Sequence, residues 1–241
     1  MAQQAFRAMP VFSITSKQWK GHACHAPMAI QTQLKGAIMA TTTQKNIHRV
    51  VKEPDGAITE YDYIPIQTGT MWGNGYSRRL NLAKSKSMDE LGSLAFLCRD
   101  IFLEHWNKVV FGPCIQGAVF EIMLTEQPKV TLWDGYLTVI LPPGPAHFHL
   151  CIGKTAGVGK NKTPEKLAKK RQCNKAAFFR SARENGCVPE SYGIRLWNGD
   201  GDQMITFFLP NPYITDKQKI LKKPDWSRLE LWHELRKRHL E

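Results

Sequence analysis

Lys129-Val-Thr-Leu-Trp-Asp-Gly-Tyr-Leu-Thr-Val-Ile-Leu141 alternates apolar and polar residues on either side of Asp134-Gly135. Alternation with period two predicts strands over Lys129–Trp133 and Tyr136–Leu141. Asp-Gly supplies the positive φ values that a two-residue hairpin turn requires. Beyond Pro142-Pro-Gly-Pro145 the chain resumes as a strand from His147 to Ile152. Further strands are predicted around the Pro54-Asp55-Gly56 turn, over Ala118–Leu124, and at Tyr192–Trp197 and Gln203–Leu209 around Asn198-Gly-Asp-Gly-Asp202.

Three helices complete the expected pattern. Ser87 with Glu90 three residues later forms a capping-box signature, and an apolar stripe follows to about Val110. A second helix is predicted from Thr163, with Pro164 at its first position, to just before Gly186. Asp225 opens an amphipathic helix from Trp226 to about His239. Hairpins and helices that do not alternate strictly predict an α+β fold. It is a mostly antiparallel sheet of hairpins packed against two or three helices.

The chain has 241 residues and a formal charge of +12. Its apolar content excludes wholesale disorder, and the lack of a long apolar run excludes a helix through a membrane. The charge is concentrated. Residues 1–50 carry six basic side chains and no acid, residues 51–150 are net −3, residues 151–187 net +8 and residues 188–241 net +1. The acid-free start, rich in Gln, Ser, Thr and Ala, predicts a disordered or irregular N-terminal extension over residues 1–45 and a single domain over 46–241. Met39-Ala-Thr-Thr-Thr-Gln-Lys resembles an ordinary protein start, and a transit peptide is the alternative. The six cysteines contain no Cys-x-x-Cys pair, which points to reduced thiols and a cytoplasmic location.

His147-Phe-His149-Leu-Cys151 carries the most chemistry. In a strand, His147, His149 and Cys151 share one face while Phe148, Leu150 and Ile152 share the other. Two imidazoles roughly 7 Å apart along a strand are able to converge on one ion, zinc or iron. Cys151, about 13 Å from His147, joins the metal set only through a bulge. The same histidines are the candidate catalytic residues. Pro142-x-Gly144-x-x-His147 resembles the second conserved motif of the cupins, metal-binding β-barrels in which such a histidine is a ligand. The acidic ligand that follows in that motif is absent, since Gly153 and Lys154 stand in its place.

The basic segment supplies the second candidate. On a helical projection Leu167, Ala168, Phe178, Phe179 and Ala182 form one arc that also contains Arg171 and Lys175. Cations inside an apolar arc snorkel, pair with a carboxylate or meet an anion in a cleft, so Arg171 and Lys175 are candidate ligand-binding residues for an anionic small molecule. Trp72, in a glycine-rich loop, is a third. The Gly153–Asn161 loop has five residues between Gly153 and Gly159 and lacks the Ser or Thr of a phosphate loop, so it is expected to be a mobile basic loop. Asn198, Asp200 and Asp202 resemble the start of a calcium loop, but Leu209 stands where its glutamate belongs.

Three function classes follow. The first is a metal- or anion-binding protein, including an enzyme acting through His147 and His149. The second is an accessory protein docking on a partner through the C-terminal helix. The third is a nucleic-acid binder using the basic segment, which lacks an accompanying recognition motif.

Overall fold

The Asp134-Gly135 turn forms as its sequence predicts. Both residues take positive φ, 46° and 79°, and pair Lys129–Trp133 with Tyr136–Ile140 in the register Trp133 to Tyr136. The structure is a computed structural model that describes residues 47–72, 79–84, 87–115, 118–183 and 191–241. The expected N-terminal extension and the side chain of Trp72 lie outside the described residues.

Among the described residues every strand pairing is antiparallel. A seven-stranded sheet runs in the order β1 (His48–Lys52), β2 (Ala57–Tyr63), β13 (Lys175–Arg183), β14 (Ser191–Trp197), β15 (Gln203–Phe208), β4 (Val110–Gly112) and β7 (Ile122–Met123). A four-stranded sheet runs β10 (His147–Cys151), β9 (Tyr136–Ile140), β8 (Lys129–Trp133) and β3 (Leu80–Asn81). Two small hairpins pair β5 (Cys114–Ile115) with β6 (Ala118–Val119) and β11 (Gly157–Val158) with β12 (Asn161–Lys162). The helices are α1 (Met88–Leu91), α2 (Ser93–Arg99), α3 (Glu165–Arg171) and α4 (Glu230–Leu240), with a π-helical turn at Asp100–Glu104. This is the α+β class expected. Both large sheets run open from edge to edge, unlike the barrel that the cupin resemblance implies.

One core joins the two sheets. Val130, Leu132, Leu137, Val139 and Leu150 from the small sheet meet Phe111, Phe178, Ile194 and Phe207 from the large one. Leu97 and Phe102 fill the space between, and Phe102 packs edge-on against both Phe111 and Phe207 at centroid distances of 5.0 and 5.7 Å. Leu231, Trp232 and Leu235 of α4 are buried in the same core. The C-terminal helix therefore places Leu231, Trp232 and Leu235 within the chain, while Trp226, in the turn before it, stays 51% exposed.

Two predicted helices are corrected. The Ser87 helix begins as expected, with the Glu90 N–H donating to Ser87 Oγ at 3.2 Å, but Gly92 divides it. Gly92 has φ +76°, and an added Cβ would lie 2.5 Å from the Gly69 nitrogen, because the chain at Gln67–Gly69 packs directly on this backbone. The second helix ends at Arg171, and residues 175–183 form β13, flanked by β2 and β14. Ala176 and Phe178 face the main core while Ala177 and Phe179 face an aromatic layer with Tyr61 and Trp197. A strand buried on both faces loses its period-two signature and is then indistinguishable from a helix by apolar pattern.

Candidate functional site

Antiparallel register assembles the site. Cys151 stands opposite Tyr136, His149 opposite Thr138 and His147 opposite Ile140. Cross-strand partners share a face. Leu137, Val139 and Leu150 take the inner face, so Tyr136, Thr138, His147 and His149 take the outer one, which is open to water at the histidines. The two imidazoles meet edge-on with centroids 5.1 Å apart, and His149 meets Tyr136 at 6.4 Å.

Each histidine is anchored through Nδ1. His147 Nδ1 lies 3.2 Å from the Pro145 carbonyl oxygen and His149 Nδ1 lies 2.8 Å from Thr138 Oγ1. Partial burial, and then electrostatic repulsion from His147 and Arg79, hold His149 below its ordinary value of 6.5. His149 is thus a neutral imidazole at pH 7.

Tyr136 sets the far end of the row, with the Arg171 side chain, at the C-terminus of α3, and the Cys151 sulfur as its electrostatic neighbours. The Cys151 thiol donates to the Gly153 carbonyl at 3.5 Å. Burial pushes the Cys151 thiol up to about 11, and it is fully covered, so it is neither a thiolate nor within reach of an ion at the histidines. Burial also raises the Tyr136 phenol, with Cys151 adding to the effect and Arg171 opposing it.

The adjoining loop is anchored, contrary to expectation. The Asp134 carboxylate accepts from Thr155 Oγ1 at 2.7 Å and from the Ala156 and Gly157 amides at 2.8 and 3.0 Å. Its lysines still face solvent. A cleft of about 440 Å³ opens beside Ile140, walled by Asn81, Lys129, Thr131, Arg99 and Glu104.

Of the residues singled out in the sequence, His147 and His149 meet on this face, and Arg171 neighbours Tyr136 at the end of the row. Lys175 lies apart. It begins β13, and its ammonium stacks 4.4 Å above the Trp197 ring, against the outer aromatic layer of the large sheet. Asn198, read as a turn, accepts the Asp200 and Asp202 amides at 3.0 and 2.8 Å. Tyr136, Thr138 and Arg79 were not legible as site residues. Their signal is the hairpin register, which brings Tyr136 and Thr138 opposite Cys151 and His149. Among the described residues no group of three or more His, Cys, Asp or Glu side chains surrounds a potential ion position. No described helix is long and apolar enough to cross a membrane.

The crystal structure of ChuX is similar at 15% identity with a TM-score of 0.36, covering 66% of this chain and 77% of that one. No curated protein sequence matches the chain. Residues 80–241 match the model of a family of unknown function, DUF7676; that span contains every residue of the row except Arg79, and the chain belongs to this family.

Proposed function

We propose that this protein binds an anionic small molecule on the outer face of the four-stranded sheet, between the Arg171 guanidinium and the His147–His149 pair. The observation that supports this reading is the position of Arg171 beside Tyr136, whose ring in turn meets His149. A guanidinium clamps a carboxylate or phosphate through two parallel bonds, and the neighbouring phenol offers a further donor. Arg79 adds a second positive charge near His149. The neutral imidazole of His149 supplies a proton acceptor beside the bound anion, which is where acid–base catalysis by His147 and His149 would act. The buried thiols Cys98, Cys151 and Cys173 suit a reducing cytoplasm.

A compact anion suits this surface better than a nucleic acid. Lys169 pairs with Glu165 at 2.9 Å and Lys170 with Asp200 at 2.6 Å, which neutralises part of the basic segment.

The test uses the full chain stripped of metal over a chelating resin. Succinate and inorganic phosphate are titrated into it by calorimetry. At least one is expected to bind saturably, with affinity reduced about tenfold or more in Arg171→Ala, the size of a lost charge-assisted hydrogen bond. Lys175→Ala, on the other sheet, is expected to leave that affinity unchanged. Failure of both anions to bind, or equal affinity in Arg171→Ala, overturns the reading.

A further inference from the structure

We infer that His147 and His149 form a two-imidazole site for a divalent zinc ion, whose open coordination positions face the anion site. The inference deepens the preceding reading and rests on it only for the source of the third ligand.

The tautomers carry the argument. A backbone carbonyl has no proton to give, so the contact between His147 Nδ1 and the Pro145 oxygen requires the proton on Nδ1. The neutral ring then presents an unprotonated Nε2. His149 reaches the same state in the tautomer whose Nδ1 donates to the Thr138 hydroxyl, a partner able to serve as donor or acceptor. Metal-binding histidines are oriented in this way, with the second ring nitrogen donating to a carbonyl or other oxygen that sets ring direction and raises basicity. The Pro145 carbonyl dictates that arrangement for His147, and the Thr138 hydroxyl permits it for His149.

The spacing also suits an ion. Adjacent same-face residues on a strand are roughly 7 Å apart at the backbone. The rings have closed to a centroid distance of 5.1 Å. Zinc bound by imidazole requires nitrogens at about 2.0–2.1 Å from the metal, so binding turns the two Nε2 atoms toward one point.

The donor set narrows the metal. Imidazole nitrogen suits zinc, copper and nickel, of which zinc is redox-inert and takes a tetrahedral shell completed by water or an anion. A ferrous site of the facial type needs a carboxylate, and among the described residues none joins the pair. Cys151, read from the sequence as a third ligand, is excluded by its burial and by its bond to Gly153. Two protein ligands leave at least two positions to water or an anion oxygen, as in an open rather than a structural site. Arg79 and Arg171 repel a bare dication, and an anion seated between them and the metal offsets that repulsion. Metal and anion should therefore strengthen each other.

Zinc binding is measured on tag-free, metal-stripped full-length protein by competition with a chromogenic chelator, using zinc alone in an anion-poor buffer. Wild type is expected to bind one equivalent more than the His147→Ala/His149→Ala double variant. Thr138→Val, which removes the His149 anchor, is expected to weaken that equivalent about tenfold. Circular dichroism confirms that the variants fold. Equal zinc binding by wild type and the double variant overturns the inference. Succinate and phosphate binding by the stripped protein is scored separately, so loss of the anion reading and loss of the metal reading appear in different experiments.

Discussion

His239 and the His147–His149 pair occupy opposite environments. His239, on α4, and Asp100, at the start of the π-helical turn, both have side chains that are 0% exposed, with His239 Nε2 3.0 Å from Asp100 Oδ2. Arg238 donates to the same oxygen at 3.0 Å and Arg99 donates to the other at 3.2 Å. The carboxylate is enclosed by three donors, and the bonds tie the last helix of the chain to the middle of the fold. On the β9–β10 face, the histidines have one anchored nitrogen each and open water beyond. A fully enclosed ring spends its chemistry on folding. A half-anchored ring keeps a donor atom for something outside the protein.

Breaking the enclosed cluster gives the largest effect. Asp100→Ala leaves the Arg238 and His239 donors facing an uncompensated space, a loss of about 3–5 kcal/mol for removing one partner of a buried pair. Urea unfolding measures it. A loss below about 1 kcal/mol would mean that water satisfies the cations and that the cluster is not closed.

Acid sharpens the same contrast. Burial raises the Asp100 carboxyl, but the hydrogen bonds and charges of His239 and Arg238 outweigh it and hold the group below its ordinary value of 3.8. A carboxyl depressed on folding contributes stability that is fully present above its unfolded value. That stability is lost as the pH falls through the folded value. The thermal midpoint of wild type is therefore expected to drop below pH 4 more steeply than that of Asp100→Asn, which has no such group to protonate. Parallel curves would assign acid sensitivity to other carboxylates.

The two clusters also differ in how far the sequence discloses them. His147 and His149 are two residues apart on a strand whose alternation is plain, so their shared face follows from period two alone. The Asp134-Gly135 turn sets the β8–β9 register, and β10 then adds Tyr136 and Thr138 to the row. Asp100 and His239 lie 139 residues apart, and no local pattern links them. A period of 3.6 predicts one helical arc holding Arg171 and Lys175, yet the helix ends at Arg171 and Lys175 joins the opposite sheet. The Ala176–Phe179 run, buried on both faces, concealed a strand at the centre of the large sheet. The hairpins were legible because one face of each meets water. The central strand was not, because neither of its faces does.

Tyr136→Phe probes the row at intermediate cost. It removes one partly exposed hydroxyl, worth about 1 kcal/mol of stability at most. It also removes the phenol donor beside Arg171, so affinity for succinate or phosphate is expected to fall while zinc binding at the histidines persists. Equal anion affinity in Tyr136→Phe would show that Arg171 needs no support from the phenol.

The smallest expected effect is the most discriminating. The double variant His147→Ala/His149→Ala removes two rings from an exposed sheet face whose apolar core lies on the opposite side. The lost bonds, to the Pro145 carbonyl and the Thr138 hydroxyl, are replaced by water at an open surface. Stability should change by no more than about 0.5 kcal/mol, the usual range for surface substitutions. The edge-on contact between the rings adds little where both are solvated. Unfolding in urea without metal measures this baseline, and repeating it with zinc should stabilise wild type and leave the double variant unmoved, since only a native state that binds the ligand gains from it. A large loss without metal would place the pair with Asp100 and His239 as a structural element, because rings retained for an outside ligand contribute little to the fold that presents them.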